Sequence, residues 1–441
     1  MVRKHTTKIG LFASVAFAVG AMVGGGVFAL SGAALAQAGP AALVSFLVAG
    51  SIVLLSAFSF MVIASKASRE HPGYDYVGKV LGRPIWGYLT SWCFYLAGII
   101  GAAFVLNAFG SYVSQFITPG VPPVVWSIVG ALLLTLINLG PASEIGRVEM
   151  FLVGGKLLIL LTLIGFGIAH FSTSDLAPFA PHGDTSIFTT GAFLFVAFLG
   201  FNVITNMASD IKSPQKTIPK AILISMVIVT VIYIGVAITL LSSHITDYSE
   251  SSVGSAAVAL MGPIGGGLVI AGALISTLSS GNANILGASE IVVRLAAGKK
   301  IPTIMGDMWH GHPYVSVLSG AVLYIGLILS GQTQTVIDLA NVTAILALTI
   351  VNIAAARALT LRSHTGFRLP FGWLLPMLGA VGALMQFAFI PLTNVIIGIA
   401  LAGIGVIFYS LRHSAHLPLF HRRIAAQIEA VDGPLSRSLH E

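Results

Sequence analysis

Val19-Gly-Ala-Met-Val-Gly-Gly-Gly-Val-Phe28 lies inside the first long apolar segment of the chain and carries three consecutive glycines, Gly24 to Gly26. Each glycine costs about 1 kcal/mol in a helix interior relative to alanine, so the triplet reads as a place where the helix unwinds. A single glycine would more simply mark close packing between helices through small residues. Charged residues make up only 8% of the 441-residue chain, and mean hydropathy is +0.95. A soluble domain carries about 25% charged residues. Apolar stretches of about 20 residues recur, the length that crosses a hydrocarbon core. The chain reads as an all-α polytopic membrane protein, and the triplet falls at mid-membrane.

Twelve apolar segments are expected, at about 9–35, 41–64, 85–115, 123–140, 149–171, 190–210, 221–243, 263–296, 314–330, 335–358, 370–389 and 392–411. They form one transmembrane domain over residues 9–412, with polar tails at 1–8 and 413–441. No short apolar segment with a small-residue cleavage site precedes the first, so no removable signal peptide is expected. Cys93 is the single cysteine, which excludes an internal disulfide framework.

Counting spans from an inside amino terminus places every Lys and Arg except Lys156 in the tails and loops of one side. The opposite loops contain Asp175, Asp184, Asp247 and Glu250 and no Lys or Arg. Positive residues resist translocation, so both termini are expected in the cytoplasm. A miscounted span would scatter the charges, so the bias also supports the count. It further accounts for the net charge of +7 without nucleic acid.

Span 6 holds a weaker counterpart of the glycine triplet, Phe195-Val-Ala-Phe-Leu-Gly-Phe-Asn-Val-Ile-Thr-Asn206. Gly200 stands there beside Asn202, Thr205 and Asn206, whose side chains can equally bond neighbouring backbone. Spans 1 and 6 are five apart, an odd number, so two five-span units in series lie in opposite orientations. Interrupted segments at corresponding positions of two halves point to an inverted-repeat transporter with its site at the breaks. Freed N–H groups at a helix start suit an anion and freed carbonyls a cation. Together they suit a zwitterion without an ionised side chain.

With these residues the chain resembles the amino acid–polyamine–organocation (APC) superfamily of transporters. The motifs are Gly20-Ala-Met-Val-Gly-Gly-Gly-Val-Phe28, Ala38-Gly-Pro-Ala41, Phe198-Leu-Gly-Phe201, Lys212-Ser-Pro-Gln-Lys-Thr-Ile-Pro-Lys-Ala221, Leu274-Ile-Ser-Thr-Leu-Ser279 and Leu339-Ala-Asn341. The group it looks most similar to is the bacterial proton-coupled permeases akin to cationic amino acid transporters. The resemblance implies a LeuT-type 5+5 inverted repeat, about 9–171 and 190–358, followed by helices 11 and 12 at 370–411. It implies that Gly24, Gly25 and Gly26 offer amides to a substrate carboxylate. Carbonyls near Ala21 and Met22, and of Val196, Ala197 and Leu199, would hold the amino group. Lys156 matches a fifth-span lysine that stands where sodium sits in sodium-coupled cousins, and Ser279 matches an eighth-span hydroxyl within its reach.

Departures from the family pattern narrow the substrate. Ala97 stands where cationic transporters carry a glutamate, and Asn202 replaces an acidic residue common after the span 6 Gly-Phe. Val196 stands at an aromatic gate position, with Phe195 and Phe198 adjacent as gate candidates. Glu290 replaces an arginine and is placed to pair with Arg294 one turn on. No acidic side chain remains at mid-membrane, which favours a neutral, small or moderately apolar amino acid.

Lys156 has two readings. It lies seven residues beyond Glu149, about 10 Å along a helix, so its stem can snorkel toward the interface. Alternatively an intramembrane ionisable residue is functional; desolvation favours its neutral form, and it acts as the coupling proton site. The resemblance favours the second. The remaining residues read plainly: His310 and His312 as a solvated pair rather than a metal site, Asp338 as a helix-start charge with a gate role as the alternative. Asp210 meets nearby lysines, and Trp86, Trp92 and Trp126 anchor the interface.

The expected function is import of an amino acid by proton symport through alternating access, in a bacterial inner membrane. The partners are a small-molecule substrate, protons and lipids, with no cofactor or metal; oligomeric state is not legible. Exchange of amino acids, or transport of an amine, organic acid or potassium, are the alternatives within the class. An ion channel would need a filter loop or charged ring, and a receptor would bind without flux. No paired carboxylates or nucleophile–base set suggests an enzyme.

Overall fold

A computed structural model of the chain describes residues 9–64, 74–139, 145–201, 204, 211–308, 313–361, 367 and 369–414. The expected roles of Asn202, Thr205, Asn206, Asp210, His310 and His312 lie outside the described residues. In chain order the helices are α1 (Leu11–Met22), α2 (Gly25–Ala38), α3 (Ala42–Ala64), α4 (Asp75–Leu81) and α5 (Pro84–Phe116). They continue with α6 (Pro123–Leu139), α7 (Ile145–His170), α8 (Thr185–Leu194), α9 (Pro214–Ser242) and α10 (Ser252–Ala297). Last come α11 (Tyr314–Leu329), α12 (Thr333–Thr360), α13 (Leu374–Met385) and α14 (Leu392–Ser414). Seven helical stretches among the described residues are long and apolar enough to cross a membrane, and five shorter apolar helices accompany them.

Proline opens several of these helices. Pro84, Pro123 and Pro214 stand at the first turn of α5, α6 and α9, where a missing N–H costs nothing and the fixed φ suits a helix. Gly262, with φ 71°, and Pro263 interrupt α10. The sequence reading starts span 8 at this proline, whereas the helix already runs from Ser252. Proline cannot donate to the preceding turn, but the bend at Gly262 lets a second helical piece stand before it.

The centre is occupied by α5 and α12, whose most apolar windows are 83% buried, against 22% for those of α10 and α14. Large apolar side chains at the periphery are exposed, among them Leu136, Val231, Ile264 and Leu392. Such surface on an all-helical bundle fits a hydrocarbon solvent. The chain is a multi-pass membrane protein.

The two ends of the bundle differ in charge. At the basic end, Lys300 pairs with Asp75, Arg294 lies 3.7 Å from Glu290 as the spacing predicts, and Lys212 N–H donates to Ile9 O at 2.9 Å. Ile9 and Ile211 form an isolated parallel bridge there, tying the start of α1 to the segment before α9. The opposite, acidic end is laced by neutral side chains. Asn107 Nδ2 donates to Thr333 Oγ1 at 3.2 Å, Gln115 Nε2 to Ser255 Oγ at 3.1 Å, and Gln37 Nε2 to Gln334 Oε1 at 3.2 Å. Ser111 Oγ donates to Glu250 Oε2 at 2.8 Å. Desolvation pushes the Glu250 carboxyl above the usual carboxylate range, against the hydrogen bonds of Ser111 and Thr333 that pull it down.

Close approach of α5 to α6 rests on Gly110. A methyl group there would meet Pro123 O at 2.3 Å and Ser127 N at 2.8 Å, both backbone atoms that cannot rotate away. Gly110→Ala is expected to cost about 1–3 kcal/mol through overpacking, read as a lower melting temperature in detergent. Gly326→Ala in α11, with nothing within 4 Å of the added methyl, should leave the melting temperature unchanged. Equal melting of both variants would show that α5 and α6 are not held this close.

Candidate functional site

Helix α1 stops at Met22. Val23 N–H still reaches Val19 O at 2.7 Å, and Gly24 N–H turns back to Met22 O at 2.9 Å. Helix α2 starts at Gly25 with no side chain capping it. The last carbonyls of α1 and the first amides of α2 thus lose the partners that a continuous helix would supply. The glycine triplet also permits an unusually close approach. An added Cβ would lie 2.6 Å from Ser280 Oγ at Gly24, 2.3 Å from Val105 Cγ2 at Gly25 and 2.8 Å from Tyr233 Oη at Gly26. Helices α10, α5 and α9 all close on the break, so unwinding and tight packing hold together here.

The second break follows α8. A 3-10 turn over Phe195–Phe198 leads to extended Leu199, with φ −71° and ψ 149°, and to Gly200 with φ 124°. That conformation disfavours any side chain, and an added Cβ would sit 3.1 Å from Ala21 O. The two breaks therefore touch, Gly200 against Ala21.

Tyr233 of α9 joins them. Its hydroxyl lies 2.7 Å from Met22 O and 2.7 Å from Ala197 O, and the side chain is fully buried. One O–H serves two carbonyls, so the proton is shared or alternates between them. Sequence reasoning missed this residue; its only signal is a phenol in the middle of apolar α9, whose hydroxyl needs a partner when buried.

Lys156 serves the same break from another side. Val153, Lys156, Leu160 and Leu163 form a buried stripe on α7 at spacings of three and four, the pattern of one helical face. Gly20 lets α1 press onto that stripe, since an added Cβ would meet Val153 Cγ2 at 2.4 Å. Lys156 is 4% exposed, and its Nζ donates to Gly20 O at 2.7 Å. The stem does not carry the ammonium out to an interface, so snorkelling is not the arrangement adopted. Ser276 Oγ donates to Val23 O at 3.5 Å, the long limit of such a bond. Half-buried Ser279 lies between Ser276 and Ser280 on α10, and the hydroxyls meeting the break are those of its two neighbours.

A cavity of about 120 Å³ borders both breaks. Of the residues expected to bind substrate, Ala21, Met22, Gly26, Ala97, Val196, Ala197 and Leu199 line it. Gly24 and Gly25 stand behind this wall, against Ser280 and Val105, which do line it. Phe195 and Phe198 are not on its surface; both are fully buried, and Phe198 packs on Tyr233 at 5.1 Å between ring centroids. The aromatic rings on the wall are Phe94 and Phe104 of α5. The remaining described lining comes from Gly200, from glycines and alanines of α5 and α10, and from Val105, Ser280, Asn284 and Ile291. None of the described lining residues is charged. Along α5 the cavity runs from Val105 back to Phe94, about 16 Å at helical rise, toward the basic end.

Two residues expected at the surface turn inward, Asp338 fully buried and Trp92 half-buried. Asp338, in the second turn of α12, is 2% exposed and accepts from Asn394 Nδ2 at 2.7 Å and Gln334 Nε2 at 3.2 Å. It joins helices rather than facing solvent as a helix-start charge. Trp92 Nε1 donates to Leu401 O at 3.1 Å, so its ring binds α5 to α14.

Similarity to known proteins covers most of the chain. It is 29% identical to the inner membrane transport protein YbaT of Escherichia coli over 70% of this chain and 74% of that protein. It is 25% identical to the methylthioribose transporter of Bacillus subtilis over 90% and 92%. The serine/threonine exchanger SteT of Bacillus subtilis is 28% identical over 69% and 72%. Residues 14–412 match the family described as amino acid permease. With that match spanning nearly all its helices, the chain belongs to the amino acid permease family.

Proposed function

We propose that this permease is a secondary active transporter that imports a small neutral amino acid together with a proton, by alternating access. The observation that carries the reading is the contact of two backbone breaks, Ala21 against Gly200, on the wall of a cavity whose described lining residues carry no charge. Amides at the start of α2 receive the substrate carboxylate, and carbonyls of Ala21, Val196 and Leu199 receive its ammonium group. A zwitterion is thereby held by dipoles alone. A charged substrate side chain finds no counter-ion, which disfavours it in a medium of low dielectric. The relatives' names include both an amino acid exchanger and a methylthioribose carrier, so the cavity rather than the family argues for the solute.

The helices are read as twelve crossings, with two inverted units at about 9–171 and 190–358 and two helices added. The basic end faces the cytoplasm of a bacterial inner membrane, in keeping with the positive-inside bias and with the inner membrane relative. The cavity then opens inward, while side-chain bonds close the acidic end. Phe195 and Phe198 are the proposed gate toward that closed end.

Lys156 is the proposed proton site. Protonated, it holds Gly20 O and so fixes α1 to α7; deprotonated, it loses the charge that strengthens this bond. Coupling requires only that the two conformations differ in affinity for proton and for substrate. Uptake into proteoliposomes is expected to rise as the outside is acidified. Lys156→Ala should still bind substrate in a thermal-shift assay, yet fail to accumulate it on a pH gradient. A sodium requirement, or normal accumulation by the variant, would overturn the assignment.

Tyr233 transmits between the breaks in this reading. Tyr233→Phe removes the hydroxyl that Met22 O and Ala197 O share, leaving Met22 O with only the Gly24 amide, at a cost of roughly 1–3 kcal/mol. The expected result is an initial uptake rate lowered by about tenfold or more in a variant that remains folded. An unchanged rate would mean that the breaks move without the phenol.

A further inference from the structure

Among the described residues, two polar side chains face a cavity otherwise walled by glycine, alanine, apolar side chains and backbone. They are Ser280 and Asn284, four residues apart on α10, hence on one helical face and about one turn, roughly 5 Å, apart. Neither makes a hydrogen bond among the described residues. Ser280 packs on Gly24, at the break. Asn284 lies a turn nearer the basic end, where Gly98 and Gly101 of α5 leave room for it; added Cβ atoms there would come within 3.4 Å of Asn284 O and of Asn284 Nδ2, respectively. An asparagine amide offers two donors and an acceptor. Left unmet against a substrate of purely hydrocarbon side chain, these groups lose water without compensation.

We propose that Asn284 is a specificity-determining residue, and that it selects amino acids whose short side chain ends in a neutral hydrogen-bonding group, a hydroxyl or a carboxamide. The proposal rests on the reading of the cavity as an amino acid site, and narrows it. With the zwitterionic head at the breaks beside Ser280, the side chain of the substrate points one turn along α10. That distance matches the separation between the head group and the polar end of such a side chain. The described lining residues carry no charge, which disfavours basic and acidic side chains. The cavity of about 120 Å³, well under the ~300–1,000 Å³ of drug-sized sites, excludes large ones. A site that hydrogen-bonds a substrate group discriminates strongly against the analogue that lacks it, because its own polar groups are then left unpaired.

The test uses isosteric pairs, threonine against valine and asparagine against leucine, as competitors and as labelled substrates of the full-length protein in proteoliposomes. Wild type is expected to prefer the polar member of a pair by about tenfold or more. Asn284→Leu should remove that preference by losing the polar substrate while keeping or gaining the apolar one. Retained uptake of the apolar member shows that the variant is folded and that its head-group site is intact. Equal use of threonine and valine, and of asparagine and leucine, by wild type would overturn the inference even if Asn284→Leu could not be reconstituted. So would an unchanged ratio in the variant. Failure of wild type to move any amino acid would instead overturn the reading of the cavity itself.

Discussion

Backbone carbonyls released by a helix break inside an apolar bundle have no water to turn to, and each unsatisfied group there costs several kcal/mol. Every unusual feature at the centre of this protein answers that demand. Gly20 O takes the ammonium of Lys156, Met22 O and Ala197 O share the phenol of Tyr233, and Val23 O takes a long bond from Ser276. The donors come from α7, α9 and α10, so stopping one helix recruits three others. Among the described residues, the carbonyl of Ala21 and the amide of Gly26 are left without a hydrogen-bond partner from another helix, and both residues border the cavity. Satisfying most of the break from outside is what leaves the remainder available to a solute.

The same economy explains the glycines. Donors from neighbouring helices reach a broken segment only if those helices come close, and a Cβ at Gly20, Gly24, Gly25 or Gly26 would stand in the way. A purely flexible break would not need such clearances, and a purely packed helix would not need a break. The triplet serves both, and this is why its two readings in the sequence do not compete in the structure.

Much of this was legible in the chain and some was not, for identifiable reasons. The breaks announce themselves because glycine's cost in a helix is local, and the ends of the bundle are marked by charge. Lys156 stands out in sequence as a cation in a run from Met150 that holds no acidic residue, but an acceptor of its ammonium is a backbone carbonyl 136 positions away, which no side-chain pattern records. Tyr233 reaches Met22 across 211 positions, and in sequence it is one aromatic among many. Ser279 is the hydroxyl that resemblance singles out, whereas rotation along α10 brings Ser276 and Ser280 to the break. Asp338 reads as a surface charge because its partners, Asn394 and Gln334, sit on a different helix and one turn away. The helical piece from Ser252 was hidden by Gly262 and Pro263, which mark a bend and not an end.

The donors on the break are not interchangeable. Tyr233 and Ser276 give neutral bonds whose strength does not depend on the proton supply near neutral pH. Lys156 gives a charge-assisted bond, roughly twice as strong as a neutral one, and it alone can surrender its charge by losing a proton. A bundle that needed only to satisfy Gly20 O could use a serine or a glutamine, at far lower desolvation cost than a buried ammonium. The ammonium is justified if the bond it makes must be made and broken during work. Placed on α1 just ahead of the break, that bond restrains the half-helix at the basic end, and releasing it frees the segment that walls the cavity at Ala21 and Met22. In the proposed cycle a proton therefore acts on the substrate without touching it, through the position of the carbonyls that hold the substrate's head.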